Sequence, residues 1–150
     1  MPKQTHSIFS KEYSSLVSEL ITEIKLFNPI DINTSINTIA LWDTGAVISC
    51  IAPSVLKKLN LNPIDSITIE VVNSTERCDL VLVQVGLPNG LIVPNIKPAV
   101  CNFSPPDVEF IIGMDIIKLG DFIISNSLQK TLFSFITPPL AKRIDFFKEV

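Results

Sequence analysis

Hydrophobic and polar residues alternate along the middle of the chain, over residues 66–85, "SITIEVVNSTERCDLVLVQV". The apolar positions form two runs of period two, which are Ile67, Ile69 and Val71, then Val81, Val83 and Val85. Such alternation is typical of half-buried strands, because successive side chains of a strand point to opposite faces. The polar stretch 73–77 lies between the runs, so the pattern predicts a β-hairpin over residues 66–85, with its tip in that stretch.

Other segments also predict strands. In "LPNGLIVP", the turn residues Pro88, Asn89 and Gly90 stand between short apolar runs and indicate a second hairpin. Residues 16–26 fit both a helical stripe and a strand, and we favour the strand. Further strands are predicted at 108–112, 121–124 and 131–135.

One helix is predicted clearly, in "APSVLKKLN". Pro53 suits its first position, because the N–H that proline lacks would have no partner there. Val55, Leu56 and Leu59 share one face, and Asn60 can end the helix.

Length and charge limit the possible functions. The chain has 150 residues, which fits one domain of ordinary size, and its 12 Lys and Arg against 15 Asp and Glu give a net charge of −3. No basic block occurs, so we expect no nucleic-acid partner and no binding to an anionic membrane. No apolar stretch reaches the roughly 18 residues of a membrane span. Because "MPKQTHSIFSKEYSS" shows no secretory signal, we expect a cytoplasmic protein.

Several kinds of catalytic site find no support in the residues. The one histidine, His6, lies near the N-terminus, so a His-dependent triad is disfavoured. The glycines stand singly, which excludes a Walker loop or a dinucleotide fingerprint. The acids are scattered, and Cys50, Cys78 and Cys101 are odd in number and widely spaced, so we expect no metal site and buried reduced thiols.

One acid stands out from this background. In "IALWDTGAVISCIAP", Asp43 lies between two apolar runs, with Thr44 and Gly45 directly after it. A strand that ends on an acid and turns at a glycine places a carboxylate accurately. An unpaired buried acid would cost several kcal/mol or stay protonated. Two such acids facing each other share one proton instead, and then provide one acid and one base.

"WDTGA", followed about 70 residues later by "EFIIGMDII", resembles the retropepsin-like aspartic proteases. The order of the parts between and after these motifs agrees with that family. The resemblance implies an all-β fold, a closed or partly open β-barrel with a flap hairpin and one or two short helices, completed as a homodimer. It covers residues 16–136, which leaves residues 1–15 as a flexible N-terminal arm and 137–150 as a C-terminal tail.

The resemblance also implies roles for individual residues and an aspartic endopeptidase activity on peptide or protein substrates, without cofactor or metal. Asp43 of each subunit would be catalytic, and Thr44 and Gly45 would support the active-site loops. Substrate would be bound by Ala46, Ile48, Ile111 and the flap tip at Asn73, Ser74 and Thr75. The structural residues would be Ile112, Gly113 and Asp115, the last as a cap of a short helix that begins near Met114.

The sequence departs from the viral pattern at three places. The flap segment 66–80 contains no glycine, Val47 stands where many relatives carry an acid, and Met114 stands where an arginine is frequent. These departures keep open a catalytically silent retropepsin-like dimer that binds peptides or proteins. An Asp-based phosphotransfer enzyme is a third alternative, although the second acid and the lysine that such sites need nearby are absent.

Overall fold

The structure is a computed structural model that describes residues 5–103 and 106–149. Its strands, in chain order, are β1 (Ser7–Glu12), β2 (Leu20–Phe27), β3 (Ser35–Trp42), β4 (Cys50–Ile51), β5 (Asp65–Val71), β6 (Ser74–Leu80), β7 (Val83–Gly86), β8 (Ile92–Ile96), β9 (Ala99–Val100), β10 (Phe110–Ile112), β11 (Asp121–Ser125) and β12 (Leu132–Thr137). The α-helices are α1 (Pro53–Leu59), α2 (Met114–Ile117) and α3 (Phe146–Glu149), and Ser127–Gln129 form a 3-10 turn.

The described chain divides into two compact units, where the length had indicated one. The larger unit runs from Ser18 to Ile117, and the smaller combines the residues up to Val17 with those from Lys118 on. The larger unit is one nine-stranded sheet in the order β5-β6-β9-β4-β10-β3-β2-β7-β8. The smaller unit is a three-stranded sheet in the order β1-β12-β11.

Strands β2 and β3 pair over eight residues in the larger unit. Their pairing is antiparallel and places Thr22 opposite Ala40. Alternate residues of both strands are buried on the same face, as period-two patterning requires. The indole N–H of Trp42 donates a hydrogen bond of 2.9 Å to the Thr22 hydroxyl, so the polar atoms of this buried pair satisfy each other. The strand favoured for residues 16–26 is confirmed from Leu20 on, as β2, whereas residues 16–19 precede it.

Helix α1 confirms the prediction from "APSVLKKLN". Pro53 is its first residue, and Val55 and Leu59 are fully buried. Asn60 ends the helix in the left-handed conformation (φ 52°), and its N–H bonds to the carbonyls of the last turn. The predicted strands near 108–112, 121–124 and 131–135 are likewise present as β10, β11 and β12.

The first hairpin is present, but one of its strands differs from the prediction. β5 pairs with the polar strand β6, and the Val71–Ser74 pair leaves Val72 and Asn73 as a two-residue tip. The second apolar run belongs elsewhere, because β7 pairs with β2 and β8. Val81, Val83 and Val85 are fully buried, so this run needs a sheet interior, whereas an exposed hairpin can use a polar strand. The second predicted hairpin is confirmed as β7 and β8.

The smaller unit corrects the expectation of a flexible arm for six of its residues. Ser7–Glu12 form β1, which pairs along its whole length with β12. The reason is aromatic packing, because the ring of Phe9 lies edge-on to that of buried Phe133, with 5.5 Å between the ring centroids. Part of the predicted tail is also helical, as α3. The boundaries proposed at residues 16 and 136 stay predictions.

Within the described ranges, no helix is long and apolar enough to cross a membrane.

Candidate active site

The candidate site is the loop that follows β3. Strand β10 lies parallel to β3, with Ile112 beside Trp42, so both strands end at the same edge of the sheet. Asp43 follows β3 there, and its N–H donates a hydrogen bond of 2.9 Å to the Ile112 carbonyl. The two motifs identified in the sequence, "WDTGA" and "EFIIGMDII", are therefore adjacent in space.

The loop orients the Asp43 carboxylate through its own backbone. Oδ1 of Asp43 accepts the N–H of Gly45 at 2.8 Å, and the Asp43 carbonyl accepts the N–H of Ala46 at 3.2 Å. A Cβ on Gly45 would lie 3.1 Å from Oδ1, which explains the value of glycine there. Asp43 is half-buried and Thr44 is exposed. The carboxylate is thus held in place and still accessible.

Gly113 allows the second motif to pack against this loop. A Cβ at Gly113 would lie 2.6 Å from the carbonyl carbon of Ile48 and 2.9 Å from the carbonyl oxygen of Ala46, closer than real side chains approach backbone. The N–H of Met114 donates to that Ala46 carbonyl at 2.8 Å. Only glycine at position 113 permits this approach, which accounts for the two-hydrophobics-then-glycine pattern in physical terms.

Asp115 was predicted to cap a short helix; its Oδ1 accepts the N–H of Ile116 in α2 at 3.0 Å, and the capping role stays a prediction. Asp115 lies inside α2, and its two carboxylate oxygens accept the Ser49 hydroxyl at 2.7 Å and the Ser49 N–H at 3.1 Å. The Ser49 hydroxyl oxygen in turn accepts the N–H of Gly113 at 3.1 Å. Ser49 is fully buried and joins the two motifs. Ser49 is not among the residues predicted for the site, although it stands alone as a polar residue in the apolar run "AVISCI".

The expected substrate-binding residues fall into two places. Ala46, Ile48 and Ile111 lie in or next to the Asp43 loop, half-buried. Asn73 is at the tip of the β5–β6 hairpin with φ 67°, whereas Ser74 and Thr75 are the first residues of β6. In the described part of the chain, no hydrogen bond joins this tip to the Asp43 loop.

A mostly β unit in which two parallel strands deliver an acid and a glycine to one sheet edge defines the class of fold. No protein-family profile matches the sequence, and no curated protein matches it significantly. Among solved structures, the chain is similar to a retropepsin-like aspartic protease from Rickettsia conorii. The two share 16% sequence identity, and the similarity covers 91% of this chain and 98% of the other with a TM-score of 0.56. The all-β, retropepsin-like fold expected from the sequence is confirmed.

Proposed function

We propose that the protein is an aspartic endopeptidase that hydrolyses peptide bonds as a homodimer. The observation that carries the proposal is the Asp43 carboxylate, which is oriented by the N–H of Gly45 and remains half-exposed at the sheet edge. The retropepsin-like fold of a known aspartic protease supports it. Peptide or protein substrates follow from the same reasoning.

The homodimer follows from the number of acids that the reaction needs. Two carboxylates have to share a proton, so that one is an acid and the other a base. The chain contains a single Asp-Thr-Gly and no Asp-Ser-Gly. A second copy of Asp43, brought near the first across a two-fold axis, supplies the missing acid. Thr44 is exposed next to it and is suited to hydrogen bonds between the two loops.

The proposed reaction is direct hydrolysis. The ionised carboxylate of the pair removes a proton from a bound water, while the protonated one donates a hydrogen bond to the scissile carbonyl oxygen. The water oxygen bonds to the carbonyl carbon, and the pair then returns a proton to the leaving amine as the C–N bond breaks. Ala46, Ile48 and Ile111 would contact the substrate beside Asp43, and the tip with Asn73, Ser74 and Thr75 would close over it.

The test compares wild-type protein with Asp43→Asn on a diverse peptide library, read by mass spectrometry between pH 4 and 7. The carboxamide oxygen of the variant can still accept the Gly45 N–H, so the variant should fold. Asp107→Asn, at an exposed loop carboxylate, is the matched control. We expect cleavage by wild type and by the control, and none by Asp43→Asn. Cleavage that persists in Asp43→Asn would refute the proposal.

The alternative of a silent dimer gives a different result in the same experiment. Wild type, Asp43→Asn and Asp107→Asn would then all bind peptides of the library, and none of the three would cleave them. The exposed Val47, where an acid is common in relatives, and the glycine-free hairpin are the features that favour this alternative. Sedimentation analysis checks the homodimer separately, since both functions require it.

A further inference from the structure

Two cysteines that are far apart in the sequence lie side by side in the structure. β6 and β9 are antiparallel, with Leu80 opposite Ala99. Two residues from this pair, Cys78 in β6 and Cys101 just after β9 lie side by side, and their sulfur atoms are 3.7 Å apart. Cross-strand neighbours of this kind have Cα separations of about 4.5–5.5 Å, within the range that a disulfide spans. Both are free thiols here.

A third cysteine completes the cluster. β4 runs parallel to β9 on its other side, with Cys50 beside Ala99, and the N–H of Cys101 donates to the Ile51 carbonyl at 3.1 Å. Cys50 and Cys101 both pack against the buried cluster that contains Cys78, and Cys101 follows β9, the strand that lies between β4 and β6. Cys101 is therefore the central thiol of the three. In the described ranges, no group of His, Cys, Asp or Glu is arranged to hold a metal ion.

The three thiols differ in reactivity. The hydrogen bond with Cys101 holds the pKa of the half-buried Cys50 thiol below its usual value. Burial, with a smaller contribution from Cys101, raises the pKa of Cys78 to about 11. The hydrogen bond with Cys50, followed by burial, raises the pKa of Cys101. Cys50 is thus the thiol that most readily forms the reactive thiolate, and it is also the better leaving group.

We propose that Cys50, Cys78 and Cys101 form an oxidation site, in which hydrogen peroxide reacts at Cys50 and the product is a Cys78–Cys101 disulfide that ties the β5–β6 hairpin to β9. The geometry supports this order, since Cys101 contacts Cys78 and follows the strand that lies between those of Cys78 and Cys50. A disulfide is most stable between the two thiols that least favour the thiolate, which leaves Cys50 reduced.

The chemistry balances in three steps. The Cys50 thiol loses its proton, its thiolate attacks peroxide and the O–O bond breaks; Cys50 becomes a sulfenic acid, and the leaving hydroxide takes up that proton to form water. The Cys101 sulfur then attacks Cys50, and the S–O bond breaks with loss of water. Cys78 finally attacks Cys101 and displaces the Cys50 thiolate, which takes up the proton from Cys78. In sum, two thiols lose two hydrogen atoms and one peroxide becomes two waters.

The disulfide would act on the segment that the proposed function uses as a flap. The single ladder pair Leu80–Ala99 joins the hairpin to β9, and Cys78 lies two residues closer to the tip. A covalent bond at Cys78 therefore shortens the part of the hairpin that can open. The oxidation site stands without the proposed function, and only an effect on peptide cleavage rests on it.

The first test maps thiols and disulfides by mass spectrometry after the full-length protein is treated with peroxide and its remaining thiols are alkylated. We expect a peptide pair linked through Cys78 and Cys101, reversed by dithiothreitol, with Cys50 alkylated. Linkage between two chains, or equal oxidation of all three cysteines, would overturn the proposal.

Single variants test the order of steps. Cys78→Ala should accumulate a Cys50–Cys101 disulfide, and Cys101→Ser should leave a Cys50 sulfenic acid that dimedone traps. Cys50→Ser should form the Cys78–Cys101 disulfide at least about tenfold more slowly, because the remaining thiols are poor nucleophiles at neutral pH. An unchanged rate in Cys50→Ser would contradict Cys50 as the entry point. Circular dichroism identifies any variant that is unfolded, and Cys78→Ser replaces Cys78→Ala in that case.

Hydrogen exchange reads the structural consequence independently of activity. Amides of β5 and β6 should exchange more slowly in oxidised than in reduced wild-type protein. In Cys78→Ala, the same amides should exchange at equal rates in the oxidised and the reduced protein. If hydrogen exchange is unchanged in a protein that carries the mapped disulfide, the disulfide does not restrict the β5–β6 hairpin and this part of the proposal is refuted. If the protein cleaves peptides, a loss of cleavage on oxidation that dithiothreitol reverses would show that the disulfide also controls activity. A protein without peptidase activity but with the disulfide would refute only the proposed function.

Discussion

The Asp43 loop and the β5–β6 hairpin both belong to the larger unit, yet they are held in opposite ways. The loop is held to β10 and α2 by backbone hydrogen bonds from Asp43 and Met114 and by the hydrogen bonds of buried Ser49 with Asp115. The hairpin is bonded mainly to itself, and the residues of β6 near the tip are exposed. Buried bonds to separate strands fix a position, whereas a self-paired ribbon fixes only its own shape.

This difference suits the proposed division of work. A carboxylate that performs acid-base chemistry has to be placed within a fraction of an ångström. A segment that admits and covers a peptide has to move. Substitutions in the loop should therefore lower global stability, and substitutions in the hairpin should act locally.

The largest expected effect is that of Gly113→Ala. Its Cβ would meet the Ile48 backbone at 2.6 Å, and the backbone cannot move without breaking the Met114–Ala46 hydrogen bond. We expect the free energy of unfolding to fall by about 3 kcal/mol or more in urea titration. Gly45→Ala, whose Cβ meets only the Asp43 carboxylate at 3.1 Å, is the matched control and should cost much less. Equal losses would show that the close approach is not the cause.

Asp115→Asn should have the next largest effect. An amide NH₂ cannot accept the Ser49 N–H, so one of the hydrogen bonds to this buried serine is lost. We expect a loss of about 1–3 kcal/mol in thermal or chemical unfolding. Asp107→Asn, at an exposed carboxylate, should change stability by less than about 0.5 kcal/mol. A neutral result for Asp115→Asn would mean that the pair does not anchor the loop.

Asn73→Ala should weaken the hairpin without weakening the loop. Alanine tolerates the left-handed φ of 67° less well than asparagine, at a cost on the order of 1 kcal/mol. Hydrogen exchange should rise in β5 and β6 and stay constant in β3 and β10. Asn73→Gly, which adopts this conformation freely, should retain the protection of wild type. A uniform change over the larger unit would contradict the separation of the two regions.

Glu109→Gln removes the ion pair that Glu109, directly before β10, forms with Lys58, and it should have the smallest effect. The hydrogen bond from Lys58, followed by those from Thr38 and Ser54, lowers the pKa of Glu109. A carboxyl group whose pKa is lower in the folded than in the unfolded protein stabilises the fold at pH values above the unfolded-state pKa. That stabilisation is lost as the pH falls through the folded-state pKa.

Because Lys58 is half exposed, we expect a loss below about 1 kcal/mol at pH 7 that disappears in acid. Unfolding titrations of wild type and Glu109→Gln, at pH 7 and at a pH below the folded-state pKa of Glu109, measure this loss. Glu70→Gln, at an exposed carboxylate, is the control. A loss that is the same in acid would assign the effect to packing instead of charge.

Local signals were sufficient for many elements. Pro53 and Asn60 marked both ends of α1, and alternation identified β5, because these signals act within a few residues. The pairing of strands was harder to predict, because it depends on the burial of residues that are distant in the sequence. The run at Val83 was therefore assigned to the wrong hairpin, and the six residues of β1 were taken for a flexible arm although β12 pairs with them.

By itself, the sequence predicted the kind of site, because Asp43-Thr44-Gly45 and Ile111-Ile112-Gly113 carry their chemistry and their steric demands in the residue types. Only the tertiary structure decided which groups meet around them. Ser49 joined Asp115 to Gly113, and three distant cysteines came together in one packed cluster. Such contacts depend on strand register, which is set by the packing of the whole sheet and is not encoded near any of the residues involved.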